Sequence, residues 1–384
     1  MSDQPKPDWD PKAEEVLRDQ RAAYDAMRER CPVAHSDLMH WSVFRHDDVM
    51  RVLHDHWAFS NAVSDHLSVP SGMDPPEHTA YRGIVEKYFA PERMASFAPL
   101  CLQLTVELVQ SVLQEERVEL ITAFALPFAA RAQCTFLGWS TDVEQPLIRW
   151  AKKNHVATLA QDRKVMSEIA REFEGLIDDM LESRIESGAK PEDDITASLM
   201  HDTVWGRPLS NEEIASILRN WTVGEIGTLS ASIGILAQFL AEHAEVQSQL
   251  RENPSLLPAA IDEILRIHGP LVANRRVTTR PVEIGGRKIA AGERISLNWV
   301  AANRDGRVFE DPETFRLDRD PDKNLLYGSG LHVCPGAPLA RLEMRICLDE
   351  LLKRTTAIQL IPEQPPTLAV YPASGFAELP VVVR

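Results

Sequence analysis

The run from Ser210 to about His243 constrains this chain more than any other stretch. Ser210 and Glu213 form the Ser-x-x-Glu pattern of a capping box, and helical periodicity persists from there to His243. At ~1.5 Å per residue such a helix is roughly 50 Å long, enough to cross a whole domain. Its second half is apolar nearly all round, so it must be buried on several sides. A chain of 384 residues can supply that burial as one large domain or two ordinary ones. The longest nearly apolar piece, Leu229–Ala241, is interrupted by serines and Gln238 and is too short to span a bilayer.

Charge and cysteine usage narrow the class. Forty-one basic and 57 acidic side chains give a net charge of −16, which argues against a general nucleic-acid surface. Five cysteines (Cys31, Cys101, Cys134, Cys334, Cys347) are an odd number without framework spacing, as expected in a reducing compartment. The N-terminus, Met-Ser-Asp-Gln-Pro-Lys-Pro-Asp, has no apolar core and is not a signal peptide. A soluble, cytoplasmic protein is expected, with no membrane segment.

The periodicity elsewhere is mostly helical. Residues 1–12 read as a polar tail, followed by helical patterns at 12–30, 47–55, 76–89, 97–116, 119–137, 144–160, 163–187, 258–268 and 335–354. Strand patterns are short: 41–44, then 282–284 and 294–297, with pieces near the C-terminus. Residues 59–73 lack a period and end at Asp74-Pro75-Pro76, a loop entering a new helix. Residues 303–327, rich in Asp, Arg and Pro, read as ordered coil. No repeat or low-complexity linker divides the chain. The expected fold class is mainly α with a small β region late in the chain.

Just before the last helix lies Tyr327-Gly-Ser-Gly-Leu-His-Val-Cys-Pro-Gly336. Its three glycines let backbone approach something large and flat, and Cys334 sits where a helix begins. That position favours a thiolate ready to bind metal. A lone cysteine is ordinarily just small and apolar. Here the spacing, aromatic-Gly-x-Gly-x-His-x-Cys-x-Gly, resembles the haem-ligand loop of the cytochromes P450. The resemblance extends over nearly the whole chain and implies that fold, as a single haem domain over residues 1–384. It implies haem b (iron protoporphyrin IX) as cofactor, with Cys334 as the iron ligand and Gly330 and Gly336 lying against it.

Other family marks follow from the same resemblance. Glu-x-x-Arg is matched by Glu263 and Arg266, 71 residues before Cys334. The spacing alone is uninformative, because Glu15–Arg18, Glu168–Arg171 and Glu313–Arg316 share it. Arg319, after Asp311-Pro312-Glu313-Thr314-Phe315, is the match for their third partner. The implied role is structural, a network holding the coil under the haem. Haem propionates need cationic partners. The resemblance assigns them to His78 and Arg82, four apart on one helix, to Arg276 and to His332. Arg275 leaves the third of these open by one position.

The long helix departs from the family pattern. It reads Trp221-Thr-Val-Gly-Glu-Ile-Gly-Thr228, with Thr228 in the place of the family threonine, 35 residues before Glu263. The acid usual just ahead of it is replaced by Gly227, and the nearest carboxylate is Glu225. At i,i+3 the two share a helix face and are expected to order waters and relay protons together. Gly224 and Gly227 are expected to loosen the helix and leave room for dioxygen. The alternative is a surface glutamate beside packing glycines. Pro335 either removes an amide donor from the thiolate or is simply a first-turn proline.

In the family the substrate pocket is lined by four segments. They map to Val63, Leu67 and Val69; Val223 and Gly224; Leu271, Val272 and Ala273; and Phe376, nearly all small or apolar. A small apolar or aromatic substrate is expected. The resemblance implies a monooxygenase using dioxygen; the alternatives are a peroxide-driven peroxygenase and a non-catalytic P450-like haem carrier. The ligand loop and the Trp221–Thr228 segment also resemble P450 domains fused to phthalate-dioxygenase-type reductases. These 384 residues carry no flavin or iron–sulfur pattern. Electrons are therefore expected from a ferredoxin or a flavin/iron–sulfur reductase that is separate or no longer attached. Such a partner would dock near Arg341 and Arg345.

Overall fold

The computed structural model describes residues 6–160, 162–371 and 373–384. The chain forms two compact units, each assembled from discontinuous segments. One gathers Met1–His66, Ser71–Asp74 and Asp262–Cys334; the other gathers Leu67–Pro70, Pro75–Ile261 and Pro335–Arg384.

The first unit is built on a five-stranded sheet. Its strand order is Val33–Ser36, His40–Val43, Arg294–Asn298, Ala273–Thr278 and Phe59–Ser60. All neighbours are antiparallel except the second and third, where Trp41 lies beside Ile295 in parallel. Val33, Trp41, Val43, Ile295 and Leu297 pack with Val49, Val52 and Leu53 of the His46–His54 helix. Val33–Ser36 and Ala273–Thr278 carry no strand signal in the sequence. Val33–Ser36 is buried at every position, so it has no alternation to detect.

The second unit is helical around the long helix, Asn211–Glu242. The capping box is present in full: Ser210 Oγ accepts the Glu213 N–H, and Glu213 accepts the Ser210 N–H at 2.8 Å. Every residue from Ser230 to Leu240 is buried, as its all-round apolarity requires. The C-terminal helix, Ala337–Arg354, packs along the Pro91–Val112 helix. A three-stranded sheet of Ile358–Leu360, Pro380–Val383 and Arg117–Glu119 closes one side.

Several expectations are corrected. The helix expected at 12–30 is two, Glu14–Arg18 and Gln20–Arg30, because Asp19 turns to cap the second by accepting the Ala22 N–H. The segment expected at 119–137 begins as a π turn, Ile121–Ala125, before the helix Leu126–Leu137. The long helix itself is α to Val223, π over Gly224–Leu229, and α again from Ser230. Pro335 is not in the first turn of the last helix, which starts at Ala337 with Pro338 behind it. Two helices, Pro91–Val112 and Asn211–Glu242, are long and apolar enough to cross a membrane, contrary to the count on Leu229–Ala241 alone. The apolar window of the longer is 72% buried.

Replacing Ser210 by alanine removes one side of the capping box. Stability should fall by about 1 kcal/mol, read as a lower urea midpoint with an unchanged m-value.

Candidate functional site

In the first unit, Glu263 is the node. Its carboxylate accepts from Arg266 Nε at 2.7 Å and Nη2 at 2.9 Å, from Arg319 Nε at 2.8 Å, and from the Arg316 N–H at 3.2 Å. Arg266 is 1% exposed and Glu263 5% exposed, so the pair is fully desolvated. Each remaining donor of the two arginines holds coil backbone. Arg266 donates to the Asn303 and Pro312 carbonyls at 2.7 and 2.8 Å. Arg319 donates to the carbonyls of Glu310, Asp311 and Thr314 at 2.7–2.9 Å. Asn303 Oδ1 in turn accepts the Leu325 N–H, two residues before the ligand loop. The competing Glu-x-x-Arg spacings behave differently: Arg18 pairs with Glu14, Arg171 bonds the Ser167 carbonyl, and Arg316 pairs with Asp318 and Glu310.

The ligand loop closes on itself through the Cys334 N–H, which donates to the Tyr327 carbonyl at 2.9 Å. Gly328 and Gly330 have φ of +73° and +72°, a backbone region that favours glycine. A Cβ on Gly330 would also sit 3.0 Å from the Leu53 carbonyl oxygen. The close approach expected of these glycines is thus, at Gly330, an approach to the His46–His54 helix. His54 Nε2 and Ser329 Oγ meet there at 3.1 Å. His332 ends the short turn Gly330–His332 and is half-buried; Gly336 caps the last helix.

Cys334 is exposed, whereas Cys101, Cys134 and Cys347 are buried. Burial pushes the Cys101 and Cys134 thiols up to about 12, and the Cys347 thiol well above its ordinary value. Those three are held as neutral thiols. Cys334 is the cysteine whose setting suits a soft metal.

Arg276 separates itself from Arg275. It is 6% exposed, its Nη1 donates to the Arg275 carbonyl at 2.7 Å, and it forms no ion pair among the described residues. Burial lowers its pKa to about 10, with Asp74 acting weakly against that. A guanidinium held so deep without a counter-ion suits an anionic partner such as a haem propionate. Together, Arg276 and the exposed Cys334 are a donor set that fits a haem with a thiolate ligand.

The other expected residues lie in the second unit. His78 and Arg82 lie on the Glu77–Glu86 helix; His78 is buried, and Arg82 Nε donates to Glu86 at 2.7 Å. In the π stretch, Thr228 Oγ1 donates to the Gly224 carbonyl at 2.5 Å. Ser230 and Ser232 bond back to the carbonyls of Ile226 and Thr228 in the same way. A π turn displaces carbonyls from their usual i+4 amides, and these hydroxyls take them up. A Cβ added at Gly224 or Gly227 would meet no heavy atom within 4 Å, so the two glycines leave an open strip on the helix.

Glu225 is half-buried as a residue, but its Oε1 is buried, with the Glu343 carboxyl of the C-terminal helix as its neighbour. Burial raises Glu225 to about 7 and Glu343 well above its ordinary value. Sequence reasoning passed over Glu343, although it falls on the stripe Leu339, Glu343, Ile346 and Cys347 that spacing assigns to the buried face.

Of the expected pocket residues, Leu67 and Val69 are bound to the long helix. The Leu67 carbonyl accepts from Ser216 Oγ at 3.0 Å and Arg219 at 2.6 Å. The Val69 N–H donates to Ser216 Oγ, and its carbonyl accepts from Asn220 at 3.0 Å. Ser216, Arg219 and Asn220 are i, i+3 and i+4 on one face, a polar triplet that could have been read in advance. Val69 is buried and Val223 is 42% exposed. In the first unit, the Val63 carbonyl accepts from Arg294, Leu271 packs on the core, Val272 is buried, and Ala273 opens a strand. Phe376 lies in a two-stranded ribbon of the second unit.

An exposed cysteine on a glycine-bearing loop and a buried arginine without an ion pair among the described residues suit a haem with a thiolate ligand. The sequence profile of the family "Cytochrome P450" matches residues 139–370. Cytochrome P450 109 of Bacillus spizizenii is 31% identical over 343 residues, 88% of this chain and 84% of that protein. Erythromycin C-12 hydroxylase of Saccharopolyspora erythraea is 30% identical over 354 residues, 88% of each chain. Among solved structures, CYP109E1 from Bacillus megaterium in complex with corticosterone superposes with a TM-score of 0.85 at 29% identity. That alignment covers 96% of this chain and 99% of the other. The chain belongs to the cytochrome P450 family, and with it to the monooxygenases.

Removing the node should be more damaging than removing either arginine. Glu263→Ala leaves two guanidinium groups facing a desolvated gap, so a loss of about 3–5 kcal/mol is expected. A thermal melt would show it as a sharply lowered midpoint or as failure to fold.

Proposed function

We propose that the whole chain acts as one cytoplasmic haem domain that oxidises a small apolar or aromatic compound with dioxygen. Electrons come from a separate ferredoxin or flavin/iron–sulfur reductase. The observation that carries this reading is the segregation of cysteines, with Cys334 exposed on a loop tied to a buried ion cluster and three others buried as thiols. Haem b, once bound, supplies the binding and reductive activation of dioxygen. Cys334 would hold its iron, and Arg276, His78, Arg82 and His332 its propionates. All five cysteines are free, which supports a reducing compartment. The likeness to reductase-fused P450 domains supports a flavin/iron–sulfur donor, and Arg341 and Arg345 are its docking candidates. Retention of the cysteine, the Glu263–Arg266 pair and Thr228 argues against a non-catalytic carrier.

Thr228 is a hydrogen-bond acceptor in this arrangement. Its own hydrogen is committed to the Gly224 carbonyl, which leaves its lone pairs to receive a hydrogen bond from a donor on the open strip. It positions a donor and does not itself supply the proton. That geometry also supports a second reading, a peroxygenase, because peroxide brings its own protons. Turnover with dioxygen and a surrogate reductase, set against turnover with peroxide alone, separates the two.

The reduced, CO-bound spectrum of the holoenzyme should show the thiolate-haem band, and Cys334→His should abolish it while retaining haem; a wild-type protein without the band removes the class reading. Thr228→Ala should lower product formed per reductant consumed several-fold. Equal coupling in the variant would take Thr228 out of the mechanism.

A further inference from the structure

Ser216, Arg219 and Asn220 are not among the residues assigned to haem, yet all three are directed at the backbone of residues 67–70. Ser216 Oγ donates to the Leu67 carbonyl at 3.0 Å and accepts the Val69 N–H at 2.9 Å. One hydroxyl thus stands in for a strand edge, satisfying a carbonyl and an amide two residues apart. Arg219 Nη2 is a second donor to the Leu67 carbonyl at 2.6 Å. Asn220 Nδ2 donates to the Val69 carbonyl at 3.0 Å and to Ser68 Oγ at 3.2 Å. Pro70 follows, with no N–H to place.

The tie lies away from water. Ser216, Arg219 and Val69 are buried, so a hydrogen bond lost there leaves its partner unsatisfied. Leu67 keeps an exposed side chain while its carbonyl takes two donors, so the backbone and not the side chain anchors it. Loops ordinarily run over the surface and move. This one is held by a helix. Arg219 Nη1 also pairs with Glu174 of the helix Arg163–Ser187 at 3.3 Å, which joins the loop and that helix through one guanidinium.

The stripe that carries the tie continues into the π turn. Ser216 and Asn220 are followed at three- and four-residue steps by Val223 and Gly224, with Gly227 beyond. Val223 is exposed, and the two glycines carry the open strip that ends at Thr228. The loop is therefore attached one turn before the strip begins.

We propose that Ser216, Arg219 and Asn220 are positioning residues that hold residues 67–70 as a fixed wall at the end of the open strip, and so restrict the substrate to a compact molecule. A loop free to yield would let an apolar chain extend past it and gain affinity with each buried methylene. A loop tied through its carbonyls and amide yields only by leaving those groups unpaired. Substrate size is then set from the helix behind the loop. This rests on the proposed function only for the substrate's place beside Thr228; the tie is a property of the protein.

Two measurements on the holoenzyme test it. In amide hydrogen exchange, residues 67–69 should exchange at least about tenfold faster in Ser216→Ala than in the wild type. Asn220→Ala should act in the same direction, and it serves if Ser216→Ala does not fold. Calorimetric binding of 4-ethylphenol and 4-octylphenol then reads the wall. The wild type should bind the short phenol at least as tightly as the long one. In either variant the ratio of the two dissociation constants should move toward the long phenol by about tenfold or more. A merely destabilising substitution would weaken both phenols alike. Unchanged exchange in both variants overturns the tie, and faster exchange with an unchanged ratio overturns the wall. A wild type that gains affinity through the added methylenes also overturns the proposal. Neither measurement needs turnover, so a missing CO band would remove the class reading and leave these results to decide the tie.

Discussion

One buried carboxylate fixes the part of this protein on which the chemistry depends. Glu263 is removed from water, which is costly for an ion, and four hydrogen bonds at 2.7–3.2 Å offset that cost. Its two arginine partners then have donors left over, and all of those go to carbonyls of residues 303–314. A coil without secondary structure cannot satisfy its own carbonyls, and here two guanidinium forks do so in place of a ladder. The ordered coil runs directly into the ligand loop. The position of Cys334 is thereby tied to an ion cluster some seventy residues upstream rather than to a helix or strand.

Much of this was legible. The capping box at Ser210 and the choice of Glu263–Arg266 over three other pairs of the same spacing depend on local chemistry or fixed intervals. The strands were harder. Val33–Ser36 is buried on both faces and two-residue strands such as Phe59–Ser60 carry no period at all, so only their partners define them. The π turn over Gly224–Leu229, the segment that holds Glu225 and Thr228, was not expected, because that sequence reads as ordinary helix. The polar face of Ser216, Arg219 and Asn220 was present to be read, but its partner is a loop backbone.

The two acidic clusters show how differently burial treats the same side chain. Glu263 has guanidinium donors in place of its hydration. Glu343 has no cation and holds its proton instead, and its neighbour Glu225 lies between these limits. One site organises backbone through its ion pairs; the other is a pair of carboxyls whose pKa values burial raises.

The discontinuous sheet of the first unit has a bearing on biosynthesis. His40–Val43 pairs in parallel with Arg294–Asn298. A ribosome making this chain from its N-terminus has released the first two strands roughly 250 residues before their partner exists. Until then the hairpin Val33–Val43 has an unpaired edge and an uncovered apolar face, a state prone to wrong pairing. The acidic Asp47-Asp48 and the basic Arg45 that follow it are well placed to keep that waiting edge in water. The order of synthesis thus sets a long interval in which this half of the protein cannot yet fold.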